Sequence, residues 1–170
     1  MCSGNTALAQ PTRAIGASAF DCLLKRLRGT PIARQREAYG RELVYLGHAA
    51  ALKDDLNPLE NLLDACTLGA QDATRAQALQ ALAESGLRGF ERTPVRRLSQ
   101  GQRRRCGLAR LLLSRSTPLW VLDEPFNALD ADACRWLAER LGEHLQRGGL
   151  LVLTSHQSVP LPPPARELQL

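Results

Sequence analysis

Leu119-Trp120-Val121-Leu122-Asp123-Glu124-Pro125 is the stretch that decides how this chain folds. Four apolar residues are too few for a helix and show no alternation, so they predict a strand buried on both faces, as in a parallel sheet. The strand ends in two adjacent carboxylates and a proline. Open α/β sheets place their chemistry at that end of a strand.

Working outward, two more short apolar runs read as buried strands. Leu43-Val44-Tyr45-Leu46 is stopped by Gly47, and Leu150-Leu151-Val152-Leu153 runs into Thr154-Ser155-His156. Helical patterns separate them. Asn57, Pro58 and Glu60 form a helix start, followed by Leu59, Leu62, Leu63 and Cys66 on one face. A second helix is predicted over 72–84, with Ala76, Leu79, Leu82 and Ala83 inward and Gly86 closing it. Ser99 and Gln102 make a capping box for a third, which carries Cys106, Ala109, Leu112 and Leu113 at helical spacing. A fourth is predicted over 132–147, with Ala133, Leu137, Leu141 and Leu145 on one stripe and Gly148-Gly149 as its stop. This alternation predicts an α/β fold in which strands 43–46, 119–122 and 150–153 adjoin in a parallel sheet, with a helical lobe between His48 and Arg97.

Composition narrows the class of function. A chain of 170 residues, 44% hydrophobic and 23% charged, predicts one domain with a real core. No apolar run approaches the ~18–20 residues that span a bilayer. The stretch 14–24 is interrupted by Asp21 and lacks the basic lead-in of a secretory signal. Cys2, Cys22, Cys66, Cys106 and Cys134 are scattered singly, which excludes a common zinc site, argues against a disulfide framework and points to a reducing compartment. The net charge is +5, and all but two of the 22 basic residues are arginine, the exceptions being Lys25 and Lys53. Such a charge suits nucleic acid, phosphate ligands or an anionic membrane surface equally.

The candidate site residues each have a plain reading beside a chemical one. Asp123 can hold a magnesium ion on nucleotide phosphates, and Glu124 can orient and deprotonate an attacking water. Alone, two acids in a strand-end turn are more often simply solvated. Ser99 and Gly101, 24 and 22 residues before Asp123, open a capped helix whose free N–H groups and dipole favour an anion. Alone, Ser99 is a cap. Arg103, Arg104 and Arg105 read as a solvated face with at most a small added attraction for phosphate. His156 ends the next strand, where it can hydrogen-bond a terminal phosphate or serve structure only. Asp130, in Ala128-Leu129-Asp130, caps the following helix on the plain reading.

Taken together, in this order and spacing, the motifs resemble those of the ATP-binding cassette (ABC) ATPases. The resemblance matches Leu98-Ser99-Gln100-Gly101-Gln102 to the family signature, residues 119–124 to the Walker B strand with its catalytic glutamate, residues 128–130 to the D-loop and His156 to the switch histidine. Counting back from Leu59-Glu60-Asn61, the glutamine that contacts magnesium and the membrane partner falls at His48. Gly47-His48 and Thr154-Ser155-His156-Gln157 look like the ATP-binding export subunits of c-type cytochrome biogenesis. The resemblance implies a partial, P-loop NTPase-like cassette over 41–158 with a helical subdomain at about 57–97. Residues 1–40 are then an N-terminal remnant, and the proline-rich 159–170 an irregular tail. It further implies ATP and Mg2+ as cofactors, with Asp123 toward the metal, Glu124 and His156 catalytic, and Ser99, Gly101, Gln102, His48 and Asp130 toward the nucleotide. The implied partners are an integral membrane subunit and a second cassette, whose γ-phosphate the signature helix covers, at the cytoplasmic face of a bacterial inner membrane. No nucleic acid is expected, because cassettes that serve it need tandem copies or a long coiled-coil insertion.

One motif of the pattern is missing. A Walker A loop, G-x-x-x-x-G-K-[ST], requires a lysine after glycine, and both Lys25 and Lys53 follow leucine. The strand that feeds that loop is expected to be missing too, and residues 1–26 depart from the family pattern. Two readings follow. The chain is a copy shortened or frameshifted at its 5′ end and inactive alone, or it is a short subunit that lends only Ser99 and Gly101 to an intact partner.

Overall fold

The structure, a computed structural model, describes residues 7–10, 42–69, 71–156 and 165–167. The strands are β1 (Ala7–Gln10), β2 (Leu43–Leu46), β3 (Leu119–Asp123), β4 (Leu150–Thr154) and β5 (Ala165–Glu167). The helices are α1 (Pro58–Leu68), α2 (Arg75–Glu84), α3 (Gln100–Leu113) and α4 (Ala131–Gln146), with a short 3₁₀ turn at Val95–Arg97. All strands run parallel in the order β2-β3-β4-β1-β5. The three expected strands are therefore neighbours, with β3 between β2 and β4. Leu119, Trp120 and Leu122 are buried there, as a strand covered on both faces requires.

Helix starts form where local chemistry places them. Asn57, Thr74 and Ser99 each make a capping box with the side chain three residues on, and Asp130 caps α4 through the Ala133 N–H. Such caps contribute about 1 kcal/mol each. At the other end of α4, Gly148 takes φ +86° while Gly149 N–H bonds the His144 carbonyl and Gly148 N–H that of Leu145, a Schellman closure.

Two cores meet on α3. Leu108 and Leu111 face the sheet, packing with Val44, Trp120, Leu122, Leu137, Leu141 and Leu153. Cys106, Ala109 and Leu112 face the lobe, against Leu59, Leu62, Cys66, Ala81 and Leu82. Burial pushes the Cys106 thiol up to about 12, so it packs as a small apolar group. Asn61 is the buried polar exception on α1. Its side chain accepts from Lys53 N–H at 2.8 Å and donates to the Lys53 and Asn57 carbonyls, pinning the segment that enters the lobe.

Within residues 1–40, read from the sequence as a remnant of uncertain fold, Ala7–Gln10 forms β1 beside β4. Two expectations need correction. Part of the irregular tail, Ala165–Glu167, forms β5 beside β1. Both pairings are non-local. The buried β4 presents a second edge of N–H and C=O groups that must be paired, and short segments without hydrophobic periodicity can satisfy it. The second helix starts at Arg75 rather than 72, because Thr74 is its cap. Its inward residues are Ala78, Ala81 and Leu82, while Leu79 is exposed. Leu87, which follows the helix, is fully buried and completes the apolar contact expected of the helix face.

The third histidine, His144, lies in the core, stacked on Trp120 with ring centroids 3.9 Å apart. Its Nε2 lies 3.1 Å from the Leu150 carbonyl, which only accepts, so Nε2 carries the proton. Burial lowers its pKa below the ordinary 6.5, against the opposing pull of that hydrogen bond. The unfolded chain therefore takes up a proton that the folded chain refuses. The His144 contribution to stability is full above about pH 6.5 and is lost as pH falls through the depressed folded value. Urea midpoints measured from about pH 7.5 down to 5.5 should fall, and His144→Phe should flatten that dependence.

Candidate functional site

The parallel register of β3 and β4 assembles the acidic end of the site. Asp123 and Thr154 are Cα partners across the two strands. The Thr154 hydroxyl donates to Asp123 Oδ1 at 2.7 Å and accepts from the Glu124 N–H at 3.0 Å. One hydroxyl thus orients the first acid and holds the backbone of the second. Glu124 needs that support, since its φ is +49°, a left-handed conformation that costs a non-glycine residue roughly 1–2 kcal/mol. Its carboxylate, nearly buried, meets His156. Glu124 Oε1 is 3.2 Å from the ring Nε2, and Oε2 accepts from the His156 N–H at 3.3 Å. Asp123, Glu124 and His156 therefore share one edge of the sheet.

Arg104 is not part of a solvated face. It is buried, and among the described residues its guanidinium donates only to backbone carbonyls. These are Pro125 from Nε (3.3 Å), Gly47 and His48 from Nη1 (2.9 and 3.0 Å), and Asp123 and Glu124 from Nη2 (2.7 and 2.6 Å). Burial pulls its pKa down, while the Asp123 and Glu124 carboxylates pull it back up. An arginine stays charged under those opposing pulls. Its neighbours are also engaged within the chain. Arg103 pairs with Asp54 at 2.5 Å and Arg105 with Asp130. The expected attraction of this triplet for phosphate is thus spent on internal partners, because acids distant in sequence converge on it.

Ser99 stands exposed at the start of α3, its hydroxyl accepting from Gln102 N–H and Gln102 Oε1 accepting from Ser99 N–H. Gly101 passes so close to residue 128 that a Cβ there would come within 2.9 Å of the Ala128 carbonyl oxygen. Asp130 caps α4 and pairs with Arg105, so both its oxygens are engaged. The His48 side chain is exposed and lines a cleft of about 600 Å³ with Gln100, Arg103, Asn127 and Ala128. Besides Glu124, Ala51 and Ala128 hold positive φ (48° and 61°), so left-handed strain falls on both the loop after β2 and the loop after β3.

The donor set can be weighed against a magnesium nucleotide. Among the described residues no three His, Cys, Asp or Glu side chains gather into a metal cage. Mg2+ at nucleotide sites takes one or two carboxylates and fills its shell with phosphate and water, which the lone oriented Asp123 fits. The cradle for the phosphates is a different matter. Lys53 lies on the lobe, bonded to Asp64 at 2.9 Å, and the chain contains no G-x-x-x-x-G-K-[ST]. Sequence reasoning missed Thr154 and Arg104. The hydroxyl two residues before His156 was a visible signal for the first, and nothing local marked the second.

A parallel sheet with paired acids at one edge, facing a histidine and flanked by a capped, serine-led helix, defines a nucleotide-hydrolysing class of fold. A family model described as ABC transporter matches residues 22–127, and the chain belongs to that family. The match begins at residue 22, inside the stretch expected to depart from the pattern. The cytochrome c biogenesis ATP-binding export protein CcmA of Aromatoleum aromaticum is 50% identical over 145 residues, covering 85% of this chain and 68% of that protein. CcmA of Pseudomonas fluorescens is 52% identical over 133 residues, 78% of this chain and 62% of its own length. The chain thus spans 62 to 68% of the length of these relatives. An ABC transporter ATP-binding protein from Pyrococcus furiosus shares the fold with a TM-score of 0.73 at 21% identity, covering 98% of this chain and 85% of that one.

Two glycines of α3 should respond oppositely to the same substitution. Gly101→Ala drives a methyl against the Ala128 backbone and should destabilise by about 1–3 kcal/mol. Gly107→Ala meets Ala50 at ordinary contact distances, 3.4 Å from its methyl and 3.6 Å from its carbonyl oxygen, and should gain up to about 1 kcal/mol from helix propensity. Chemical denaturation of the two variants beside the parent checks both signs.

Proposed function

We propose that this chain is the ATP-binding, energy-coupling subunit of an ABC transporter that serves haem delivery in c-type cytochrome biogenesis. The observation that carries the ATP reading is the convergence of Asp123, Glu124 and His156 at the ends of the adjacent strands β3 and β4. The likeness to CcmA proteins carries the haem-delivery reading. In this reading Glu124 orients and deprotonates the attacking water, His156 donates to the terminal phosphate, and Asp123 holds Mg2+. The ion, when bound, offsets charge on the phosphate oxygens. Ser99, Gly101 and the positive end of α3 face the nucleotide of a second cassette. His48, on its exposed loop, faces the membrane-embedded partner at the cytoplasmic side of a bacterial inner membrane. No helix of the described residues is long and apolar enough to cross a membrane.

A second feature refines the reading. The chain has no Walker A loop, and the groups it does carry serve the transition state or a partner's nucleotide. Without a bound substrate such groups accelerate nothing. The 170-residue chain alone should therefore bind ATP weakly and not turn it over. Mixed with an intact cassette it can complete one composite site. In that mixture Ser99→Arg in this chain should abolish the hydrolysis it supports, and Glu124→Gln should leave it nearly unchanged. ATPase assays on the purified chain and the mixture test this. Robust turnover by the chain alone, lost in Glu124→Gln, would show that another segment cradles the phosphates.

A further inference from the structure

We propose that Arg104 is a positioning residue that couples the His48 loop and the Asp123-Glu124-Pro125 turn to the first turns of α3, so that a displacement of that loop reaches Ser99 and Glu124 together. The proposal rests on the reading of Ser99 and Glu124 as phosphate-facing groups.

The geometry is specific to a planar fork. One guanidinium bonds five carbonyls drawn from two loops, Gly47 and His48 on one side and Asp123, Glu124 and Pro125 on the other. The β2–β3 ladder ends at Leu46 and Leu122. Beyond it, among the described residues, Arg104 supplies every hydrogen bond that joins the two loops. Its own backbone belongs to α3, five residues from the Ser99 cap. The loops are held in strained conformations at Ala51 and Glu124, which persist only where the surroundings over-determine them. The site is buried, so water is poorly placed to replace the guanidinium, and an ammonium has three protons on one atom and cannot span both loops. Ala50 lies beside α3 at Gly107, where even a Cβ would sit in ordinary contact with it, so the loop is seated against the same helix.

The test uses the full 170-residue chain with Arg104→Lys, which keeps charge and stem, and Arg104→Leu, which keeps bulk. In both, backbone order parameters at residues 48–51 should fall from the rigid range of about 0.85 toward 0.6. Amide exchange at Glu124 and Gln102 should accelerate by about tenfold or more, the scale of losing a buried charged hydrogen bond. Exchange in α2, at Ala81 and Leu82, should stay at the parent rate. If Arg104→Leu fails to fold, Arg104→Lys decides. Parent-like order and exchange in either loop of the folded variants would overturn the coupling. So would loss of α2 protection in Arg104→Lys, because Arg104 would then be a general stability residue. In the mixture with an intact cassette, Arg104→Lys should lower kcat by about tenfold or more and leave KM for ATP unchanged, since the partner cradles the nucleotide. If the parent chain supports no hydrolysis in that mixture, the composite-site reading falls, while the order and exchange measurements still decide the coupling.

Discussion

The buried guanidinium of Arg104 is the interaction on which the rest of the site depends. Backbone carbonyls at the ends of parallel strands point into the same small volume with no ladder left to pair them, and a buried carbonyl without a donor costs a sizeable part of a domain's net stability. Five such groups converge here, and a single side chain satisfies them. Because that side chain grows from α3, the helix that begins with Ser99 cannot shift without disturbing the turn that carries Asp123 and Glu124. The two acids in turn offset the buried positive charge.

Around this centre the remaining contacts divide the work. Thr154 holds the acid turn from the β4 side, through the Asp123 carboxylate and the Glu124 N–H. On the solvent side, Gly101 packs against the Ala128 carbonyl and Arg105 pairs with Asp130, so the start of α3 is tied to the loop before α4. Strained backbone at Ala51, Glu124 and Ala128 is tolerated because each lies in a loop bordered by these contacts. The functional reading follows from this arrangement: the acids and His156 form one group, the capped start of α3 stands exposed at Ser99, and Arg104 bonds the loop bearing His48 to the acid turn.

Several elements were legible because their causes are local. Asn57, Ser99 and Asp130 cap the next turn with their own side chains, and short apolar runs between glycine or acidic stops can be little but buried strands. The order of acids, serine and histidine along the chain was enough to point to the family. The face of α2 was misread for a physical reason: in an alanine-rich helix the hydrophobic pattern is nearly uniform, so Leu79 looked inward while packing chose Ala78, Ala81 and Leu82. Residues 7–10 and 165–167 carried no period at all; the open edge of β4 pairs the first, and the outer edge of that added strand pairs the second.

The sequence by itself determined which residues begin each capped helix, which runs are buried strands and which side chains stand at the strand ends, since these depend on neighbours a few positions away. The tertiary structure alone decided that Arg104 is buried while Arg103 and Arg105 pair at the surface, that Thr154 rather than a solvent water orients Asp123, and that His144 stacks in the core while His48 and His156 face outward. Arg104 bonds partners 57 and 21 residues away, and Thr154 reaches Asp123 across 31. Hydrogen bonds of that span exist only once parallel strands have set their register and α3 has packed between its two cores. Before that, three consecutive arginines are chemically identical.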